Sequence, residues 1–136
     1  MNNEYTIVWK EDPLGVTFPA DQKEKAIEFY LEKIMEDAVD LIVIRPDGLK
    51  FCPPKKTGKK AFVIEAQFLA SSKIYPYPAK FKPKKADTNL VVNSPYGIGI
   101  PKIVSVHEVD ESALPVLCKT RKENLNWVLG SFKKEA

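Results

Sequence analysis

Only one segment of the sequence has the apolar periodicity of a helix, and short strand-like segments separated by turn residues occupy the rest. In residues 21–38 apolar side chains recur with a period of about 3.6 residues, and charged side chains cover the opposite face. Asp21 and Glu24 have the spacing of a capping box, which predicts that the helix begins at Asp21. The apolar stripe comprises Ala26, Ile27, Tyr30, Leu31, Ile34, Met35 and Ala38. One helix among seven or eight short strands predicts an α+β fold.

The segments around this helix predict a strand-helix-strand-hairpin layer in the first 52 residues. Residues 5–9 are rich in β-branched and aromatic side chains, and residues 12–15 are expected to end that strand. Residues 41–44 are four apolar residues in a row, which is typical of a strand covered on both faces. We therefore expect a β-α-β unit, with a right-handed crossover if its strands are parallel. A turn at residues 45–48 then returns residues 49–52 as the second arm of a hairpin.

The second half of the chain predicts a β-rich sheet. Pro76 and Pro78 exclude residues 74–78 from the centre of a sheet, because proline has no N–H to donate, and favour an edge strand or an extended segment. Pro101 predicts a bulge or an edge near the start of a long strand. The other predicted strands are residues 61–69, 89–93, 98–109 and 127–132, with one helical turn expected near Ala113. Strands separated by tight turns favour a sheet that is twisted or closed as a small SH3-like barrel.

The length of the chain predicts one compact domain over residues 1–136. Sub-modules at residues 1–52 and 61–136 are the alternative. Residues 53–60 contain two prolines, a glycine and four lysines, and nothing apolar to bury. We expect this segment to be a basic loop, either a mobile tip or the linker between the two sub-modules.

Composition excludes several classes of protein. Hydrophobic residues make up 44% of the chain, which is enough for a globular core. No apolar run approaches the roughly 18 to 20 residues that span a bilayer, and the first residues lack the pattern of a secretory signal. We therefore expect a cytoplasmic protein that has no membrane partner. Cys52 and Cys118 are expected to be two thiols, because nothing places the chain in an oxidising compartment.

Charge is strongly segregated along the sequence. Residues 53–86 hold nine lysines and one carboxylate, a net charge of +8. The rest of the chain holds twelve basic and seventeen acidic residues, a net charge of −5. The acidic part is concentrated in the predicted helix and its flanks. This asymmetry favours a polyanionic partner, or self-association through opposite patches.

Lysines interleaved with aromatic residues are the strongest functional signal. Phosphate neutralisation combined with base stacking is how single-stranded nucleic acid is held on barrel surfaces. Lysines that protect an edge strand from aggregation give the same pattern without a ligand, and arginine is absent from the segment. The candidate binding residues are Lys55, Lys56, Lys59, Lys60, Tyr75, Tyr77, Lys80, Phe81, Lys82, Lys84 and Lys85.

The sequence offers few candidates for catalytic residues. His107 is the only histidine, and on a strand it faces away from Glu108, so we expect a solvated strand end there. The carboxylates Glu28, Glu32 and Glu36 share one helix face but lack a facing helix with a Glu-x-x-His motif. We expect no enzyme activity and no catalytic, metal or cofactor site.

Residues 73–132 resemble a known group of modules. An aromatic and proline-rich entry at residues 73–77 precedes a valine-rich strand and Tyr-Gly turn at 89–99 and a second valine strand at 102–106. This pattern is similar to small β-barrel modules of bacteriophage proteins and, more faintly, to the N-terminal DNA-end-binding domain of primosomal helicases. Residues 86–89 read Ala-Asp-Thr-Asn where those modules usually carry a Gly-Asp turn. The resemblance implies a barrel, a phage or prophage origin and a host cytoplasm as the working compartment.

We therefore expect a small non-enzymatic binding protein that engages an acidic host macromolecule, a protein or a nucleic acid, through its lysine and aromatic face. One alternative is a dedicated nucleic-acid-binding module that uses the same residues. The other is a self-assembling structural protein, such as a homodimer, in which the acidic helix of one copy meets the basic loop of another.

Overall fold

A computed structural model describes residues 3–135 of the chain. Helices and strands are mixed, which confirms the predicted α+β class. The chain divides into two compact units, Met1–Lys55 and Lys56–Ala136, and the division falls within the basic segment 53–60. No helix among the described residues is long and apolar enough to cross a membrane.

The first unit is a four-stranded antiparallel sheet with one helix. Its strands are β1 (Glu4–Trp9), β2 (Asp12–Pro19), β3 (Ile42–Ile44) and β4 (Lys50–Phe51), in the order β2-β1-β3-β4. A 3₁₀ turn at Ala20–Gln22 leads into helix α1 (Lys23–Met35). Because β1 is antiparallel to both β2 and β3, those two strands run parallel on either side of it and α1 connects them. The strand at residues 5–9 runs antiparallel to β3, so the condition for a right-handed crossover between them is not met.

Strand β2 occupies residues that we expected to end the first strand. The backbone of Gly15 has a φ of 81°, and a Cβ added there would lie 2.6 Å from Cγ1 of Val8. Only glycine tolerates this backbone conformation and this contact. The Gly15 N–H donates to Oδ1 of Asp12 at 3.0 Å. The first strand therefore ends before residue 12, as expected, but residues 12–15 belong to a second strand that was not predicted.

Helix α1 begins at Lys23, two residues later than predicted. The capping box of Asp21 and Glu24 does not form, because Asp21 lies in the 3₁₀ turn and no side chain caps α1. The 3₁₀ turn connects β2 directly to the helix, so Gln22 takes the capping position.

Aromatic packing decides which face of α1 is buried. The ring of Phe29 lies 5.7 Å from that of Trp9 and 5.5 Å from that of Phe18. Ile34 is buried as the apolar stripe predicts, whereas Ile27 is 36% exposed. The buried face is therefore rotated from the predicted stripe towards Phe29.

The hairpin of β3 and β4 confirms the predicted turn. Gly48 has a φ of 88° and its N–H donates to the carbonyl of Arg45 at 2.9 Å. Leu41 is buried, but all three residues of β3 are only half-buried. The prediction of a strand covered on both faces is therefore wrong.

The second unit is an antiparallel sheet curled into a half-barrel. Its strands are β5 (Lys60–Gln67), β6 (Ile74–Ala79), β7 (Asn89–Ser94), β8 (Gly97–Gly99), β9 (Lys102–Asp110) and β10 (Gly130–Phe132). The order is β10-β7-β9-β5-β6, and β8 pairs with β7. The edge position of β6 confirms the prediction from its prolines. The predicted strand at residues 98–109 is two strands, since it is interrupted at Ile100 and Pro101.

Three short helices follow β9, and the two edges of the curled sheet meet just before β10. The helices are 3₁₀ turns at Glu111–Ala113 and Lys122–Asn124 and helix α2 (Leu114–Leu117). The Val128 N–H donates to the carbonyl of Pro78 in β6 at 2.9 Å. The inner face of the curled sheet holds a core cluster of Ile64, Ala66, Tyr77, Ala79, Leu90, Val92 and Val128. This backbone hydrogen bond and the shared core hold the half-barrel together.

The carboxylate of Asp110 fixes the loop that precedes β5. Asp110 is 8% exposed and accepts hydrogen bonds from the backbone N–H groups of Thr57 and Gly58, at 3.0 and 2.9 Å. It also accepts from the N–H and hydroxyl of Ser112. Residues 57 and 58 are therefore attached to the second unit. Cys52 and Cys118 are free thiols.

Candidate basic binding surface

The connection between β6 and β7 exposes lysines and buries its apolar residues in alternation. Lys80, Lys82 and Lys84 are exposed, whereas Phe81 packs against the core cluster and Pro83 is buried. The buried neighbours hold the connection to the core, so the lysines face solvent. Phe81, half-buried against the core cluster, thus anchors the connection, and its role as a stacking ring stays a prediction.

A turn attaches the end of this connection to β10. The Asp87 N–H donates to the carbonyl of Lys84 at 2.9 Å, and the Lys84 N–H donates to Oδ2 of Asp87 at 3.1 Å. The hydroxyl of Ser131 also donates to Oδ2 of Asp87, at 2.6 Å. The turn therefore presents Lys84 and Lys85 from a backbone held by a neighbouring strand.

The residues after β10 add two lysines that the sequence did not identify. The Thr88 N–H donates to the carbonyl of Phe132 at 2.9 Å, and the Lys134 N–H donates to Oγ1 of Thr88 at 2.8 Å. These bonds bring Lys133 and Lys134 beside the β6–β7 connection. Their proximity follows from the pairing of β10 with β7, which no local pattern encodes.

We call six exposed lysines the basic surface: Lys80, Lys82, Lys84, Lys85, Lys133 and Lys134. Within residues 3–135, none of them lies within 4.0 Å of a carboxylate oxygen. The carboxylates in the same two segments are those of Asp87, which is engaged by Ser131, and Glu135. These two carboxylates offset part of the six positive charges, and the basic surface keeps a net positive charge.

An aromatic ring flanks the basic surface. Nζ of Lys80 lies 4.8 Å from the centroid of the half-buried Trp127 ring. A cation over an indole is the most favourable of the cation–π pairs. Trp127 was not among the predicted site residues, because its approach to Lys80 depends on the meeting of the sheet edges.

The two tyrosines predicted as stacking residues lie elsewhere. Tyr77 is 9% exposed within the core cluster, so the prediction that its ring is available at the surface is wrong. Tyr75 is 40% exposed, and its ring contacts that of Phe68 at 6.3 Å. Tyr75 lies near the start of β6, where Phe68 follows β5, whereas Lys80 follows the other end of β6, so about 16 Å of strand separates them. The structure therefore does not bring Tyr75 and Lys80 together.

The lysines of residues 55–60 precede or begin β5, and Lys60 lies at the end of the sheet where β6 ends and Lys80 follows. They are kept out of the six-lysine basic surface because carboxylates accompany them. Lys60 begins β5 opposite Asp110, and the carbonyl of Lys59 accepts a hydrogen bond from Glu111. This end of the sheet therefore carries both signs of charge. Lys55 belongs to the first unit and Lys56 to the second.

A polar cluster on β5 and β9 involves the only histidine. The hydroxyl of Ser105 donates to Oε1 of Glu65 at 2.8 Å, and Nε2 of His107 lies 3.1 Å from that hydroxyl. Nε2 also lies 3.4 Å from Oε1 of Glu65. The predicted solvated strand end is wrong, because His107 pairs with Val63 within β9. Sequence reasoning missed this cluster because it depends on the register of two strands.

The cluster does not have the geometry of an activated nucleophile. In such sites a base accepts the proton of the serine hydroxyl and a third group orients the base from its other side. Here the hydroxyl of Ser105 donates to Glu65, and the same nitrogen of His107 faces both partners. Among the described residues, no three His, Cys, Asp or Glu side chains are placed to hold a metal ion.

Comparisons with family models, with curated proteins and with solved structures find no match to this chain. The resemblance of residues 73–132 to phage barrel modules stays a prediction. A fold of this kind does not specify a function, so function has to be inferred from the site.

Proposed function

We propose that this is a non-enzymatic binding protein whose second unit engages an acidic macromolecule through the basic surface. The observation that carries the proposal is the set of six exposed lysines on the β6–β7 connection and on the residues after β10 that are bonded to it, with no carboxylate within ion-pair distance among residues 3–135. Clustered ammonium groups repel one another, and a polyanion relieves that repulsion while gaining attraction from every lysine. The phage resemblance adds the cytoplasm of a phage host as the proposed compartment.

The anchoring of the lysines supports binding over simple solubility. Phe81 and Pro83 attach the β6–β7 connection to the core, and Asp87 attaches it to β10 through Ser131. A solubilising segment needs no such attachment. An attached backbone loses less conformational entropy when it binds a ligand.

Single-stranded nucleic acid is the second candidate, and the contact of Lys80 with Trp127 favours it. Proteins hold single strands by combining cations for the phosphates with aromatic rings for the bases. The half-buried Trp127 places such a ring beside the basic surface.

The test is fluorescence anisotropy with four labelled probes: single-stranded DNA, single-stranded RNA, duplex DNA and polyglutamate. The binding variant is the triple substitution Lys82→Glu, Lys84→Glu and Lys85→Glu. The matched control reverses three exposed lysines of the first unit: Lys23, Lys25 and Lys50.

We expect the wild-type protein to bind at least one probe, and the binding variant to lose about 100-fold in affinity at about 0.1 M salt. The control has the same net charge as the binding variant and should bind like the wild type. Absence of binding to all four probes, or equal losses in the two variants, would overturn the proposal. A mass that rises with concentration in the absence of any probe would favour the self-assembling alternative.

A further inference from the structure

A pocket of about 610 Å³ opens where β5 ends, next to the basic surface. Its volume lies within the range of small-molecule sites and exceeds what a single inorganic ion needs. We call it the β5-end pocket. The residues that carry the argument are Gln67, Phe68, Asn89, Ile100, Lys102 and Lys134.

The apolar wall of the β5-end pocket is held in place. A Cβ added to Gly99 would lie 2.7 Å from Cε1 of Phe68, so the ring packs closely against the glycine backbone. Tyr75 contacts Phe68 edge-on at 6.3 Å. Beside the ring, Ile100 is 48% exposed and Leu69 is fully exposed. This wall is suited to a planar apolar group that would cover it.

Two carboxamides line the same pocket. Asn89 is 7% exposed; its Nδ2 donates to the carbonyl of Ile100 at 2.9 Å, and its Oδ1 accepts from Oγ1 of Thr88 at 2.7 Å. Nε2 of Gln67 donates to the carbonyl of Ser71 at 3.0 Å. Each carboxamide has two N–H groups and two lone pairs, so both retain capacity for further hydrogen bonds. Nucleobase edges present adjacent donors and acceptors of this kind.

Two ammonium groups belong to the pocket and connect it to the basic surface. Lys102 begins β9 opposite Asn89, and Lys134 is held by its backbone bond to Thr88. Lys134 is a member of both the pocket and the basic surface, so the two are continuous. The carboxylate of Glu135 also lines the pocket and opposes the binding of an anion.

We infer that the β5-end pocket binds one unstacked base of a single-stranded nucleic acid, with the flanking phosphates on Lys102 and Lys134. Phe68 and Ile100 contact the base, and the carboxamides of Gln67 and Asn89 bond to its edge. The inference rests on the nucleic-acid form of the proposed function. An acidic peptide supplies the charge, but its carboxylate groups are charged and offer no uncharged ring to cover the apolar wall.

The test compares two labelled strands of about 12 nucleotides, a length that small β-barrel domains cover. One strand is intact, and the other carries abasic sites throughout, so that the two have equal numbers of phosphates. We expect the wild-type protein to bind the intact strand about tenfold more tightly, in line with the stacking of one base on an aromatic ring.

Substitutions in the full chain test whether the tighter binding of the intact strand depends on the β5-end pocket. Phe68→Leu keeps an apolar side chain against Gly99, and Gln67→Ala removes a carboxamide outside the core cluster; each should reduce the preference for the intact strand. Tyr96→Ala is the matched control, because it removes a fully exposed ring at the opposite end of β7. It should leave the preference unchanged. Glu135→Gln should tighten the binding of both strands.

The outcomes separate this inference from the proposed function. Equal affinity of the wild-type protein for the two strands, or a preference unchanged in both pocket variants, overturns the base pocket and leaves the basic surface as the site. Binding of polyglutamate with neither strand bound also overturns the base pocket and supports an acidic protein as the partner. Binding of none of these probes overturns the proposed function itself.

Discussion

Nζ of Lys80 lies 4.8 Å from the centroid of the Trp127 ring, at the place where the two edges of the curled sheet meet. The next residue, Val128, donates its N–H to the carbonyl of Pro78 in β6. The segment that bridges the half-barrel therefore also places an aromatic ring against the first lysine of the basic surface. Folding of the second unit and formation of its binding surface are coupled through this bridge.

The first prediction concerns the fluorescence of Trp127. In a Trp9→Phe variant, Trp127 is the only tryptophan, and it lies beside the basic surface. We expect a bound single strand to quench or shift its emission, because a ligand that reaches Lys80 changes the surroundings of the ring. A titration of the variant with an unlabelled strand measures this. A Trp127→Phe variant is the control and should show no change, and binding by anisotropy without any change in the Trp9→Phe variant would contradict the assignment.

The second prediction separates the two tyrosines of β6. Tyr77 is part of the core cluster, so Tyr77→Ala should lower the free energy of unfolding by about 3 kcal/mol, as truncation of a buried ring does. Tyr75 is 40% exposed, so Tyr75→Ala should cost clearly less. Urea unfolding of the second unit, followed by Trp127 in a Trp9→Phe background, gives both values. Equal losses for the two substitutions would contradict the placement of Tyr77 in the core.

The third prediction is a pH dependence of stability. Burial alone would raise the pKa of Asp110, but hydrogen bonds from Ser112, Thr57 and Gly58 hold the pKa of this carboxyl well below its usual range. Because the folded state has the lower pKa, the stabilisation is complete above about pH 4 and is lost as the pH falls towards the folded value.

Asp110→Asn should therefore lower the free energy of unfolding by about 2 kcal/mol at neutral pH, because an amide N–H₂ group would face the backbone donors. The difference from wild type should shrink as the pH falls below about 4. Denaturant unfolding at several pH values measures it. Glu123→Gln changes an exposed carboxylate of the same unit and should have almost no effect. A difference for Asp110→Asn that stays constant down to pH 2 would rule out this role for the carboxylate.

The fourth prediction concerns the cysteines. Burial raises the pKa of the Cys118 thiol to about 11, whereas Cys52 is exposed. A thiol-specific reagent at about pH 8 should label Cys52 first, because the thiolate is the reactive form. Cys118 is half-buried and should react much more slowly than Cys52. Mass spectrometry of the labelled protein identifies the site, a Cys52→Ser variant is the control, and rapid labelling of that variant would contradict the burial of Cys118.

Sequence patterns correctly predicted those secondary-structure elements that depend mainly on residues close together in the sequence. The prolines at 76 and 78 placed β6 at an edge, and the period of 3.6 residues located helix α1. Strand β2 was missed because Pro13 and Gly15 are turn residues by type. In the fold Gly15 lies within β2, where its positive φ and missing side chain allow close packing against Val8.

The basic surface could be predicted only in part, because some of its residues come together through contacts between distant segments. The basic stretch from Lys80 to Lys85, interrupted by Phe81 and Pro83, is visible in the sequence and accounts for four of the six lysines. Lys133 and Lys134 join them through the pairing of β10 with β7, and Trp127 through the meeting of the sheet edges. These are contacts between distant segments, and a single sequence carries no local signal for them. Tyr77 was misplaced because a tyrosine suits both a core and a surface.

The salt dependence of binding tests the central claim most directly. If the six lysines of the basic surface neutralise phosphates of a single strand, the slope of log affinity against log salt concentration should be about −4, given about −0.7 per phosphate. The triple variant Lys82→Glu, Lys84→Glu and Lys85→Glu should show a slope of about −2, because three contacts are lost. A slope near zero for the wild-type protein, or the same slope for both proteins, would contradict the role of the basic surface.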